Sequence, residues 1–254
     1  MILSYSQISS LLRCGRAYEY SYIKHSPLIL NPNLIYGRCL DRAVAYGFTR
    51  KLNNLPVSEA ELVEAVQMFF EEETREKVTY SKAGEPQLEV KAIDWQGEEP
   101  ADIRARLKEL VALYYSEMWD KVEPVSVQER WEKKMQGVLL VGYTDLIAKG
   151  PAVIDLKYSR RRMSETQVEN DVQSIAYGLL TGIDRFVFHQ ILDVKKPEIV
   201  LYEKQVEEHQ KKWFENLVGY AARLIEERIF VPNPFNYFCS MQDCSWWAEC
   251  RLGI

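Results

Sequence analysis

The chain has no apolar run long enough to cross a bilayer, and its start, Met1-Ile2-Leu3-Ser4-Tyr5-Ser6-Gln7, lacks the basic opening and continuous apolar stretch of a signal peptide. A cytoplasmic protein without a membrane partner is the expectation. Positive charge is also short: 32 Lys and Arg against 37 Asp and Glu leave a net charge of -5. That argues against a protein that simply coats nucleic acid, because such binding is driven by cations neutralising phosphates. It leaves room for a site where carboxylates gather around a metal while local basic patches track a phosphate backbone. Histidine is scarce, at His25, His189 and His209, and there is no internal repeat and no low-complexity tract. The five cysteines do not suggest a disulfide framework in a reducing compartment, since three of them fall in the last sixteen residues.

What is present is enough for a core. At 254 residues and 47% hydrophobic content, the chain can build one large domain or two small ones. Ser4 is placed to cap a helix running through Ile8, Leu11, Leu12, Tyr18 and Tyr22, after which Pro27 and Asn31-Pro32 predict a loop. A second helix is expected to begin near Gly37. Ser58-Glu59-Ala60-Glu61 is a capping box before Leu62, Val63, Val66, Phe69 and Phe70 at helical spacing. A polar stretch with Gly84, Pro86, Gly97 and Pro100 precedes a further helix carrying Ile103, Leu107, Leu110, Val111, Tyr114, Tyr115 and Met118. Residues 51–122 therefore read as a helical insertion.

From there the pattern changes to strands. Val125 to Lys134 alternates, Gln136-Gly137 offers a turn, and Val138 to Ala148 is apolar on both faces, as a central strand should be. Gly150-Pro151 breaks the run before a strand from Ala152 to Tyr158. A helix from Glu165 to Leu180, strands from Arg185 to Leu192 and Glu198 to Gln205, and a helix from Glu207 to Phe230 complete the prediction. The tail from Pro232 onward has little periodicity.

Strand geometry puts Asp155 and Lys157 side by side, because alternate residues share a face. Asp145 lies inside the preceding apolar strand, where an ionised carboxylate is costly unless paired or metal-bound. If the Gly150-Pro151 turn folds these strands together, Asp145 and Asp155 converge on one divalent ion, with the Leu156 carbonyl as a further ligand. Oxygen ligation of this kind suits Mg²⁺ or Mn²⁺. The chemistry it permits is phosphodiester hydrolysis, with Lys157 orienting water or stabilising developing charge. The plainer alternative is that Asp155 and Lys157 are the solvated face of an ordinary strand.

Gly142-Tyr143-Thr144-Asp145, then Asp155-Leu156-Lys157, then Gln173-Ser174-Ile175-Ala176-Tyr177 resembles the ordered motifs of the PD-(D/E)XK nuclease superfamily in its RecB-like branch. Gln173 and Tyr177, four apart, share a helix face. The resemblance implies an α/β fold: a restriction-endonuclease-like mixed central sheet flanked by helices, with a helical insertion and a Cys-rich C-terminal tail, all in one domain spanning 1–254. Its first motif is a glycine, three residues and a histidine; here Gly37 is followed by Asp41, an oxygen ligand in the histidine's place. Asp145, Asp155, Lys157, Gln173 and Tyr177 are then the catalytic candidates, and Asp41, Asp145, Asp155 and Leu156 the metal ligands.

Cys14 on the first helix and Cys239, Cys244 and Cys250 in the 232–254 tail are similar to the iron-sulfur clasp of RecB-like nucleases, including AddB-type subunits and CRISPR-associated adaptation nucleases. The resemblance implies a 4Fe-4S cluster on these four thiols. Zn²⁺ on the same four, or four unrelated thiols, are the alternatives, and Cys39 is expected to be packed. Arg160, Arg161 and Arg162 follow the catalytic strand and are candidate DNA contacts, which Lys195-Lys196 and Lys211-Lys212 could extend. Trp246 and Trp247 offer rings for base stacking or for packing around the cysteines.

The function implied is that of a Mg²⁺- or Mn²⁺-dependent deoxyribonuclease. It is expected to be an exonuclease before an endonuclease, acting in DNA recombination, repair or phage replication, with DNA and a helicase, recombinase or other DNA-processing protein as partners. The competing reading is a catalytically silent DNA-binding or scaffold subunit that keeps the fold and clasp.

Overall fold

Eleven residues, Val138–Ala148, form the strand on which the sheet is assembled, and their burial on both faces follows from their nearly unbroken apolar sequence. The computed structural model describes residues 1–26, 28–75, 79–80 and 88–253. In chain order they form β1 (Ile2–Ser4), α1 (Tyr5–Arg13) and a short turn of helix α2 (Gly15–Tyr18) that continues as a π-helical turn over Glu19–Ile23. Next come β2 (Leu28–Leu30), α3 (Pro32–Leu52), α4 (Glu59–Thr74), β3 (Thr79–Tyr80), β4 (Leu88–Ile93) and α5 (Pro100–Met118). The remainder comprises β5 (Pro124–Met135), β6 (Val138–Ala148), β7 (Ala152–Ser159), α6 (Glu165–Glu169), α7 (Val172–Thr181), β8 (Arg185–Leu192), β9 (Glu198–Gln205), α8 (Glu208–Glu226) and α9 (Trp247–Arg251).

β5 runs antiparallel along β6 for nearly its whole length. The other edge of β6 is shared: β1 pairs in parallel with Leu139–Val141, and β7 pairs antiparallel with Leu146–Ala148. Beyond Leu146 and Ile154 the two strands of the β6–β7 hairpin part, which leaves a fork in the sheet. β8 then pairs in parallel with β7, and β9 antiparallel with β8. The result is a mixed central sheet with helices on both faces, as expected of a restriction-endonuclease-like fold.

α3, α4 and α5 cover one face, where Leu40, Val44, Phe48, Leu62, Val66, Leu107 and Leu110 meet Leu146, Ile154 and Ile191 of the sheet. α1, α7 and α8 cover the other, packing Ile8, Ile175, Leu179, Phe214 and Val218 on Leu3, Val138 and Leu140. β7 alternates between them: Ile154 enters the first core and Val153 a smaller one with Val168, Phe186 and Phe188. This period-2 alternation sends Asp155 to the α7 face.

Several elements depart from the sequence expectation. The first helix stops at Cys14, an extended C-cap at φ -165° and ψ 111°, instead of running through to Tyr22. α3 begins at Pro32, well before Gly37, because Asn31 caps it by accepting from the Leu34 N–H and Pro32 is tolerated in the first turn. The predicted helix from Glu165 to Leu180 is two helices, since the Asp171 carboxylate accepts the Ser174 N–H at 2.6 Å and starts α7 afresh. α8 ends at Glu226, four residues short of Phe230. The region 51–122 is not wholly helical: β4 joins β2 and β3 in a second, three-stranded sheet. Pro27, Gly84 and Pro86, read as loop residues, lie outside the described residues. The Ser58–Glu61 capping box forms as expected, with Glu61 Oε2 accepting the Ser58 N–H at 2.7 Å.

Candidate active site at the strand fork

On β7, two residues apart and therefore on one face, Asp155 and Lys157 form an ion pair of 2.7 Å between Oδ2 and Nζ. α7 crosses this face and supplies Gln173. Its Nε2 donates to Asp155 Oδ1 at 2.7 Å, and its Oε1 accepts from Lys157 Nζ at 2.7 Å. One amide thus fixes both charged groups. The chain places α7 here because Gly142 of β6 has no side chain: a Cβ there would lie 2.7 Å from Leu180 and 2.9 Å from Tyr177. Tyr177 then donates to the Tyr143 carbonyl at 2.7 Å, pinning the helix to β6.

Asp155 is only 3% exposed. Burial pushes its carboxyl up to about 7, against the pull of Lys157 and with further help from the Asp145 charge. Burial opposes the charge on Lys157 as well, but Asp155 more than offsets this and the ammonium is held above its ordinary range. Asp145 and Asp171 add negative charge near this pair. Asp145 stands at the fork, its Oδ2 accepting from the Leu156 N–H at 3.4 Å. It also lines a water-sized cavity on the α3 side with Asp41, Tyr114, Ile154 and Leu156. Asp145 thus neighbours Asp41 across this cavity and the buried Asp155 across the opening between β6 and β7.

Among the described residues, no group of three or more His, Cys, Asp or Glu side chains could hold a metal ion by itself. Two carboxylates with solvent and substrate oxygens completing the shell are nevertheless an ordinary donor set for Mg²⁺ or Mn²⁺. The carboxylates of Asp145 and Asp171 near buried Asp155 fit a cation of that kind.

Two residues beside the carboxylates carried no signal in the sequence. Tyr114, on α5, is 1% exposed and shares a 2.9 Å hydrogen bond with His189 Nδ1 of β8, which is 2% exposed. Burial drives the imidazole down to about 4, so it is neutral. In the sequence Tyr114 is one of several apolar positions on a helix and His189 one of three scattered histidines; spacing cannot reveal a contact across 75 residues.

The three arginines after β7 differ in their surroundings. Arg160 pairs with Glu98 at 2.8 Å and lies over the Tyr36 ring, and Arg162 pairs with Glu198 at 2.6 Å. Arg161 is exposed, its backbone turned by Ser159. Lys195 and Lys196 are exposed. Lys211, expected to extend a DNA track, is instead 8% exposed and held by Asp184 at 2.5 Å and Glu208 at 2.9 Å. Of the remaining histidines, His209 pairs with Glu207, and His25 is exposed at a left-handed turn.

At the chain ends, Gly15 donates to the Val231 carbonyl at 2.9 Å, and the side-chain amides of Asn233 and Asn236 donate to the Arg13 carbonyl at 3.1 and 3.0 Å. The Asn233 N–H reaches Cys14 Sγ at 3.5 Å, while Arg251 donates to Cys239 Sγ at 3.5 Å. Burial pushes the Cys244 thiol up, and Cys14, Cys239 and Cys250 add to the shift, so these sulfurs lie near Cys244, although among the described residues they form no group arranged to hold a metal ion. Trp246, 8% exposed, stacks on Tyr20 and is unavailable to bases. Cys39 is fully buried on α3 and apart from this group, its thiol raised by burial to about 12.

The sequence profile of the PD-(D/E)XK nuclease superfamily matches residues 2–251. No curated protein matches the chain. Among solved structures, a protein from Eubacterium rectale assigned as an exonuclease superposes with a TM-score of 0.59 at 14% identity, over 98% of this chain and 88% of that one. SSO0001 gives a TM-score of 0.40 at 15% identity, over 89% and 87% of the two chains. Rai1 of Scheffersomyces stipitis gives 0.28 at 16%, over 87% and 67%. The first of these shows the fold; the other two are too distant to add to it. With a mixed sheet that forks beside Asp145, an Asp-x-Lys strand braced by a helix glutamine, and a family match over almost its entire length, this chain belongs to the PD-(D/E)XK nuclease superfamily.

Proposed function

We propose that the chain is a Mg²⁺- or Mn²⁺-dependent deoxyribonuclease of the RecB-like branch that degrades DNA from an end. The observation that carries this reading is the hydrogen-bonded set Asp155, Lys157 and Gln173 beside Asp145 at the fork. In it Asp145 and Asp155 are the principal metal ligands, with Asp41 and the Leu156 carbonyl completing the protein's share. A divalent cation bound there supplies Lewis acidity toward a phosphodiester and makes water a stronger nucleophile near neutral pH. Lys157 places a fixed positive charge beside the scissile phosphate, and Gln173 keeps Lys157 and Asp155 in register before substrate arrives. Tyr177 acts through α7, which it ties to the Tyr143 carbonyl. Arg161 is the first candidate for a backbone phosphate, with Arg160 and Arg162 able to exchange their carboxylates for one.

The gathering of Cys14, Cys239, Cys244 and Cys250 supports a 4Fe-4S cluster that clasps the chain ends, with Zn²⁺ as the competing occupant. On this reading residues 51–122 are an insertion into a single nuclease domain, and the biological setting is DNA recombination, repair or phage replication beside a helicase or recombinase. Asp41 in place of the family's histidine favours one other reading, a silent DNA-binding subunit. Incubating anaerobically purified protein with linear and circular duplex DNA plus Mn²⁺ or Mg²⁺ separates them. Cleavage of linear DNA that is lost in Asp155→Ala is expected. No cleavage by wild type, or equal cleavage by the variant, overturns the nuclease proposal, and cleavage of closed circles overturns the exonuclease part.

A further inference from the structure

Gln128 lies in the middle of β5, yet its φ is +49°, in the left-handed region that a non-glycine residue seldom adopts inside a strand. The β5–β6 register runs Val127 to Leu146 and Glu129 to Thr144, and it skips the pair between them, Gln128 and Asp145. No residue is inserted, since the pairing resumes in phase on both sides.

The faces exchange across this point. Toward the Gln136-Gly137 turn, Trp131 and Met135 of β5 and Val138 and Leu140 of β6 pack against the α1, α7 and α8 core. On the other side of the skipped pair, Val127 of β5 and Leu146 and Ala148 of β6 pack against the α3, α4 and α5 core. All the β5 residues named are odd-numbered and all the β6 residues even-numbered. In an uninterrupted ladder each set would stay on one face. Both strands therefore lose one step of alternation at the same place.

We infer that the left-handed turn at Gln128 is a positioning device for Asp145: it releases the facing residue of β6 from the ladder, so that its carboxylate can enter the fork between β6 and β7. Gln128 itself is exposed and acts through the backbone it shares with that ladder. The strained conformation is kept beside the carboxylates because a regular pair there would return Asp145 to the alternation of an ordinary strand. Such strain concentrates where geometry serves a site. Glycine and asparagine take up this conformation readily, whereas a β-branched residue resists it.

The inference rests on the metal-dependent reading of Asp145, and three substitutions with two readouts separate the ideas. Gln128→Gly and Gln128→Asn are expected to bind Mn²⁺ within about twofold of wild type. Gln128→Val is expected to bind it at least tenfold more weakly at a temperature where circular dichroism shows it folded, in the range seen when a ligand's supports are removed. Calorimetric titration of Mn²⁺ into each protein without DNA measures this, with Asp145→Ala as the control. Amide hydrogen exchange at Leu156, whose N–H is held by Asp145 in the metal-free protein, gives a readout free of metal: it should quicken in Gln128→Val and not in Gln128→Gly. Equal Mn²⁺ affinity in Gln128→Val and wild type, with unchanged exchange at Leu156, overturns this inference alone. Failure of wild type to bind Mn²⁺, or binding undiminished in Asp145→Ala, overturns the metal reading and the inference with it.

Discussion

Gln173 holds two opposite charges with the two ends of one amide, a task that neither an acid nor a base could perform. Replacing it with leucine leaves Asp155 Oδ1 and Lys157 Nζ without that partner while keeping the helix and most of the volume. Cleavage should fall by about 10- to 100-fold, the usual consequence of removing a group that orients a metal ligand, while the melting temperature moves by only a few degrees. Steady-state cleavage and thermal unfolding on the same preparation check this. An activity loss that merely tracks unfolding would assign Gln173 to packing. His189 makes a different prediction, about pH. Its folded pKa lies near 4 against an ordinary 6.5, so the unfolded chain binds the extra proton. The stability that neutral His189 contributes is complete above about pH 6.5 and is lost as pH falls toward 4. His189→Gln, which can still meet the Tyr114 hydroxyl, should flatten the stability-pH curve in that window by up to roughly 3 kcal/mol. Urea titrations between pH 4 and 8 give the comparison.

At the scale of elements, the close approach of the first helices to the strap after α8 depends on Gly15. A Cβ there would lie 2.6 Å from the Val231 nitrogen and 2.8 Å from the Phe230 carbonyl carbon, both backbone atoms with little room to yield. Gly15→Ala should therefore lower the melting temperature markedly, with a cost of about 1–3 kcal/mol for overpacking. Gly37→Ala, on a helix with open space at that position, should be nearly neutral. Differential scanning calorimetry of the pair decides the point. The elements were unevenly legible before folding. β6, β8 and β9 lie where the sequence pattern puts them, and β6 is further bounded by the turns at Gln136-Gly137 and Gly150-Pro151. The break at Cys14 and the restart at Asp171 were hidden, since apolar periodicity continues through both and only caps end the helices. β2 and β4 were hidden for another reason: strands this short gain their pairing from partners about 60 residues away, at Leu28 and Val90 for example.

For the whole molecule, the two ends of the chain meet through main-chain and amide hydrogen bonds before any metal is considered. Bound to four thiols, a cluster or zinc ion would cross-link α1 to the tail and close a ring around nearly all of the sheet. Cys14→Ala is expected to abolish metal content, measured as iron, labile sulfide or zinc, and to lower the melting temperature, because metal binding free energy then adds directly to folding. Unchanged metal and melting in the variant would show that Cys14 is no ligand, leaving the hydrogen bonds as the whole of the tie.

Local order alone settled which residues could share a face: Asp155 with Lys157 by strand period, Gln173 with Tyr177 by helix period. It also placed the glycine of Gly142-x-x-Asp145 ahead of the Asp-x-Lys strand, so the family's motif order was readable from the primary structure. Folding in three dimensions decided the rest. The neutral Tyr114–His189 pair beside Asp145, the pairing of Arg160 and Arg162 with distant carboxylates and the burial of Lys211 all join segments remote in sequence, and the fork forms where the two strands of one hairpin part. The physical reason is one of range. Side-chain period is a property of a few neighbouring residues, whereas a strand that leaves its partner after Leu146, and a left-handed residue that shifts two strands by one step, exist only once the sheet has formed.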